Sequence, residues 1–115
     1  MKRIPVILDT DIGSDIDDTW ALAMLLQSPE LEPRLIVTES GDTVYRAKIV
    51  AKILERSGRE EIPIGIGLRL SNETGPQLSW VKDYNIERYG GTIYEDGVKA
   101  LIETVMESSE TVTLL

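Results

Sequence analysis

Short apolar runs alternate with longer amphipathic stretches along the chain. "IPVIL" (Ile4 to Leu8) is apolar and rich in branched residues, which predicts a buried strand. "DDTWALAMLLQS" follows, with Trp20, Ala21, Met24 and Leu25 at helical spacing, and predicts a first helix. Pro29 and Pro33 punctuate the connection to a second strand, "RLIVTES" (Arg34 to Ser40). "DTVYRAKIVAKILERSG" predicts a second helix. Its Val44, Ala47, Val50, Ala51 and Leu54 fall mostly three or four apart, and Gly58 sits where a C-cap belongs. "IPIGIG" is a third strand. The stretch from Gly67 to Gly91 is the least regular and reads as a loop, with a short helix near Trp80 to Tyr84. "EDGVKALIETVMES" is a third long helix, and "TVTLL" a fourth strand that reaches the last residue. Trp20 and Trp80 read as core or rim packing.

Strands alternating with helices predict an α/β fold: a mostly parallel, Rossmann-like sheet flanked by helices on both faces. No internal repeat, low-complexity tract or linker divides the chain, so residues 1–115 read as a single domain. A buried-type strand that stops with the chain leaves a raw sheet edge. On that ground the chain reads as the front part of a longer domain.

Composition narrows the classes. The chain has 115 residues, 42 % of them apolar, with no cysteine and a net charge of −8. Without cysteine there are no disulfides and no thiolate metal sites. The acidity repels phosphates, so nucleic acid is not an expected partner. No run approaches the roughly 20 apolar residues of a membrane span. "MKRIPVILDTD" is too short in its apolar part for a signal peptide and ends in acid. The expected location is therefore cytoplasmic, and the sequon at Asn72 to Thr74 inert. The charge imbalance also fits carboxylates neutralised by bound cations.

One stretch concentrates the chemistry. "VILDTDIGSDIDDTWAL" places five aspartates, Asp9, Asp11, Asp15, Asp17 and Asp18, within ten residues, at the end of the first strand. In open α/β sheets ligand sites form beyond the carboxyl ends of strands. Asp9 and Asp11 share a face in an extended segment. Asp15 and Asp18 become neighbours once the helix starts. Gly13 lets the backbone turn between the two groups. Oxygen ligands without His or Cys select a hard cation, calcium or magnesium. A helix cap surrounded by solvated charges would account for two or three of these residues, but poorly for five.

The loop is not an EF-hand. Counted from Asp9, the positions that need Gly and Glu are Ser14 and Trp20. "GIG" at Gly65 to Gly67 lacks the third glycine of a dinucleotide fingerprint. "DTDIG" does satisfy the Asp-x-Asp opening of a haloacid dehalogenase-like magnesium phosphohydrolase, with Asp9 as nucleophile. It lacks the Gly-Thr or Gly-Val that follows there, and "DIDD" stays unexplained.

"ILDTDIGSDIDD", then "VTESGDT", then "IPIGIG", resemble the N-terminal part of the inosine-uridine preferring nucleoside hydrolase family. That family opens with Asp-Thr-Asp-Pro-Gly-x-Asp-Asp. Here Ile12 replaces the proline, and two extra residues precede the paired aspartates, a longer form that one branch of the family carries. The resemblance covers nearly the whole chain but only about the first third of a family member. It implies calcium-dependent hydrolysis of the N-glycosidic bond of ribonucleosides to ribose and free base. It implies that Asp11 is a calcium ligand and activates the water, that Asp18 is a calcium ligand, and that Asp17 bonds the ribose hydroxyls. Asp15 is an additional ligand, and Asp9 orients groups around the metal. Asp42 stands where relatives carry a sugar-contacting Asn, and it can equally cap the second helix.

The chain departs from the family in its leaving-group chemistry. Relatives often protonate the base with a histidine; this chain has none, and "YGGTIYEDG" (Tyr89 to Gly97) occupies the region of their His-Gly loop. The calcium and ribose ligands that relatives take from their second half lie beyond these residues. The chain alone is therefore expected to be inactive, and its parent a homo-oligomeric enzyme acting on ribonucleosides. The alternatives are the magnesium phosphohydrolase and a non-catalytic truncated domain that self-associates through its exposed sheet edge.

Overall fold

In the computed structural model, which describes residues 2–115, the first strand, β1 (Ile4–Thr10), runs two residues beyond the apolar run. Helix α1 (Asp17–Leu26), strand β2 (Leu31–Thr38), helix α2 (Thr43–Arg56) and strand β3 (Ile64–Ile66) follow. The irregular stretch contains a one-turn helix, α3 (Leu78–Val81), a 3-10 turn at Ile86–Arg88 and a short strand, β4 (Ile93–Tyr94). Helix α4 (Gly97–Glu107) and strand β5 (Thr113–Leu114) close the chain.

All strand pairs are parallel, in the order β4-β3-β2-β1-β5. The chain steps outward from β1 through β4, then returns to the other side of β1. Right-handed crossovers then place the helices of the outward steps on one face and the returning helix on the other. The packing follows that rule. Val6, Leu8, Ile36 and Ile64 meet Leu22 and Leu25 of α1 and the Ala47, Val50, Ala51 and Leu54 stripe of α2. Ile7, Leu35 and Val37 point the opposite way and meet Ala100 of α4. This is the expected α/β architecture, a five-stranded parallel sheet between helices.

Several details differ from the sequence pattern. β2 starts at Leu31 rather than Arg34, so Pro33 lies inside the strand. A register shift there pairs Val6 with Pro33 and Ile7 with Leu35, which leaves Arg34 unmatched. A proline without an N–H is tolerated because β3 pairs only with Ile36 to Thr38. In α1, Leu22 and Leu25 are buried, whereas Trp20 is 65 % and Met24 70 % exposed. Residues 20–26 are all apolar, so periodicity could not choose the inward face. β4 carries too short an apolar signal to be read. β5 is an exposed edge: Leu114 and Leu115 remain over half exposed although Leu115 N–H donates to the Ile7 carbonyl at 2.9 Å. α4 begins at Gly97 because the Asp96 carboxylate accepts from the Lys99 amide at 3.1 Å. Among the described residues no helix is long and apolar enough to cross a membrane.

Candidate functional site

The strand order reverses at β1, so its carboxyl end opens into the crevice where ligands bind in such sheets. The aspartate-rich loop leaves from that end. Alternation along β1 sends Thr10 toward α1 and α2 and Asp9 toward α4. The buried Thr10 hydroxyl donates to Asp18 Oδ2 at 2.7 Å and accepts from the Ile12 amide at 3.0 Å. The Asp11 amide donates to the same Asp18 oxygen at 3.1 Å. Asp18, in the first turn of α1, is thereby drawn back onto the end of β1. The N-cap position of α1 is Ile16, which offers no side-chain cap, so none of the aspartates is spent on that role.

The Asp11 and Asp18 carboxyls lie close enough to perturb each other. Side-chain hydrogen bonding with Asp18, followed by burial and the Asp18 charge, raises the Asp11 carboxyl above its ordinary value. The same interaction, followed by the Thr10 hydroxyl, lowers Asp18. The Arg46 charge pulls both down.

A second acidic contact lies beside the first. Glu39 follows β2 directly and donates its amide to the Thr10 carbonyl at 3.0 Å. Its carboxyl is raised, first by partial burial and then by a hydrogen bond with Asp9 and by the charges of Asp9 and Asp18. Asp9 and Glu39 form the acidic rim of a cavity of about 440 Å³, with Val37, Val98 and Leu101 among its apolar walls.

The loop between β1 and α1 is fastened from below by α2. Gly13 has φ +105°, and a Cβ there would lie 2.7 Å from Ile49 Cδ1 and 2.8 Å from Tyr45 Cε2. Only glycine satisfies both the left-handed backbone and the close approach. The Tyr45 hydroxyl donates to the Gly13 carbonyl at 2.8 Å. Arg46 donates to the carbonyls of Asp11, at 2.8 Å, and Ile12, at 3.0 Å.

Residues 6–115 match the family profile described as inosine-uridine preferring nucleoside hydrolase. The chain belongs to that family. A 40-residue stretch is 52 % identical to the non-specific ribonucleoside hydrolase RihC of Klebsiella pneumoniae (strain 342). That stretch is 35 % of this chain and 12 % of the relative, so the likeness reaches only a small part of that protein's length.

Within this nucleoside hydrolase fold the expected site residues are distributed unevenly. Asp11 and Asp18 are brought together. Asp9 sits two residues before Asp11, on the cavity side, beside Glu39. Asp15 and Asp17 are exposed, the first on the loop and the second at the start of α1. Asp42 caps α2: Oδ1 accepts from the amides of Val44 and Tyr45, both at 3.1 Å, and Oδ2 from Arg69 at 3.0 Å. Among the described residues no group of three or more Asp, Glu, His or Cys side chains is arranged to hold a metal ion. The donor chemistry, oxygen only, suits a hard cation, and the arrangement supplies an adjacent pair of carboxylates rather than a full set. The family match does not favour the phosphohydrolase alternative.

Thr10, Glu39 and Arg46 were not legible as site residues. Thr10 reads as a strand residue and Glu39 as a solvated charge. Arg46 carried a signal: it lies one and two turns before Val50 and Leu54, on the helix's apolar stripe, where a charge needs a reason.

Proposed function

We propose that this chain carries the opening segment of a calcium-dependent N-ribohydrolase site, built on Asp11 and Asp18. The observation that supports the reading is the Asp11–Asp18 carboxyl pair at the end of β1, where the strand order reverses. Membership of the nucleoside hydrolase family supplies the reaction class, and the relative's printed name a ribonucleoside substrate.

Asp11 and Asp18 are the residues that would hold calcium, with Asp15 as a further ligand once the loop closes on it. Calcium held there would offset the repulsion of the two carboxylates and would supply Lewis-acid activation of the attacking water. Asp11 takes the proton of the attacking water. Asp17 and the Asp42 oxygen now paired with Arg69 accept hydrogen bonds from ribose hydroxyls. Water adds its oxygen to the anomeric carbon, the N-glycosidic bond breaks, and the base leaves with the bond's electron pair and takes up a proton. The nearby carboxylates favour the positive charge that develops on the sugar. Asp9 orients the loop's groups through its contact with Glu39.

With an adjacent pair in place of a full ligand set, and no histidine to protonate the base, the chain by itself binds calcium weakly and does not turn over nucleosides. Calorimetric titration with calcium, with an Asp11→Asn, Asp18→Asn variant alongside, tests the reading. Saturable binding that the variant loses is the expected result. Equal binding by both proteins, or none by either, removes the pair as a calcium site. Ribose release from inosine or uridine, followed with and without chelator, should stay at background.

A further inference from the structure

Arg46 is 4 % exposed, and among the described residues no carboxylate lies within ion-pair distance of it. Every hydrogen bond its guanidinium makes goes to a backbone carbonyl. Nη1 reaches Asp11 and Ile12 on the loop after β1, and Nε reaches Ser40, at 2.7 Å, on the loop after β2. A charge is buried this deeply only when its donors are satisfied and counter-charge is near. The Nε and Nη1 donors are met by those carbonyls. The counter-charge comes from Asp11, Asp18 and Glu39, each of which Arg46 makes more acidic.

The second loop shows what the contact imposes. Ser40 has φ +72°, a left-handed backbone that a serine rarely holds unless its surroundings impose it, and Gly41 follows at +60°. That turn aims the Ser40 carbonyl at Nε and brings Gly41 against Nη2, which lies 3.4 Å from where a Cβ would sit. A planar fork that spans two loops is specific to arginine. Lysine offers one compact charge and cannot reach carbonyls in both directions at once.

We propose that Arg46 is the positioning residue of this site: its guanidinium clamps the loop after β1 to the loop after β2 through three carbonyls. The clamp keeps the Asp11 and Asp18 carboxyls in one place before any ligand arrives. The clamp stands on the hydrogen bonds alone; its consequence for metal affinity rests on the calcium reading above.

The whole chain can test it by hydrogen–deuterium exchange, comparing Arg46→Lys with the unsubstituted protein in calcium-free buffer. The expected result is exchange faster by about tenfold at residues 11–14 and 40–42, with β1 to β3 unchanged. Unchanged loops, or an increase spread evenly through the chain, overturn the clamp and leave Arg46 a structural residue. Should Arg46→Lys fail to fold, the same comparison is made in a Ser40→Gly background, where the left-handed turn needs no clamp. There residues 11–14 should still loosen and residues 40–42 should not; equal protection of both loops overturns the proposal. Calcium titration of the same proteins separates the two readings. Loosened loops with no calcium binding even by the unsubstituted chain sustain the clamp and end the calcium reading. Calcium binding unaffected by Arg46→Lys, with loops unchanged, does the reverse.

Discussion

Helix α2 serves two regions of the molecule in different ways. Its last turns bury Val50, Ala51 and Leu54 against the sheet, where contact is apolar and without direction. Its first turn buries Tyr45 and Arg46, which hold the acidic loop by hydrogen bonds to named carbonyls. The first region is stabilised by area removed from water and by close packing. The second depends on geometry: each donor has one place to go, and the loop it holds has one conformation that satisfies them. A single helix thus joins a packed core to a polar site, and the two ends should answer differently to substitution.

Leu54→Ala should have the largest effect on stability. The side chain is fully buried, and its loss should cost about 2–5 kcal/mol by urea unfolding, with no selective change in the acidic loop. A cost below about 1 kcal/mol would show that the core end is not held by packing. Gly13→Ala strikes the junction of the two regions, since its methyl would meet both Ile49 and Tyr45 at an unfavourable φ. The expected loss is about 1–3 kcal/mol, with the loop disturbed as well as the core, as chemical shifts of residues 11–16 would report. Asp42→Ala removes the side-chain cap of α2 and should cost about 1 kcal/mol. Arg69→Ala, which breaks only an exposed pair to the same carboxylate, should stay within about 0.5 kcal/mol. If the two are equal, the cap is not what Asp42 contributes.

The polar end should also show itself in pH dependence, the smallest of these effects. Asp18 is depressed in the fold, so it adds stability above the ordinary carboxyl value of 3.8, and that stability is lost as pH falls through its folded value. Asp11 is raised, so the folded chain holds a proton that the unfolded chain has released, and stability falls as pH rises above 3.8 toward its folded value. Glu39 acts in the same direction as Asp11, starting from 4.5. Together they place a local maximum of stability in mild acid. Asp11→Asn keeps a donor toward Asp18 but cannot titrate, and should remove much of the fall on the alkaline side. A fall of the same size in that variant would exclude the Asp11 carboxyl as its cause.

Much of the architecture was legible before the structure. β1 is a short branched apolar run and α2 has a clear helical period, and the alternation of strands with helices predicts a parallel sheet. α1 was legible as a helix but not in its orientation, because Trp20 to Leu26 is apolar all round and two faces compete. β2 was misplaced by reading Pro33 as a break; a neighbouring strand too short to need its N–H is a tertiary fact. In the site, the cluster of aspartates was visible, but which of them meet was not. Asp15 and Asp18 are neighbours by helical spacing, yet Asp15 is exposed and Asp18 is pulled to Asp11 by Thr10, a residue with no acidic signature.

The sequence by itself determined the family, the α/β class and the place where acid collects, because local periodicity and short motifs depend only on neighbours along the chain. Tertiary structure alone decided that Asp11 and Asp18 meet, that Glu39 and Asp9 line one cavity, and that a buried arginine from α2 holds the loop. Those contacts link residues that are far apart along the chain for short side chains to bridge by any local rule. Arg46 is 35 residues from Asp11 and reaches it only because parallel strands bring the ends of β1 and β2 side by side.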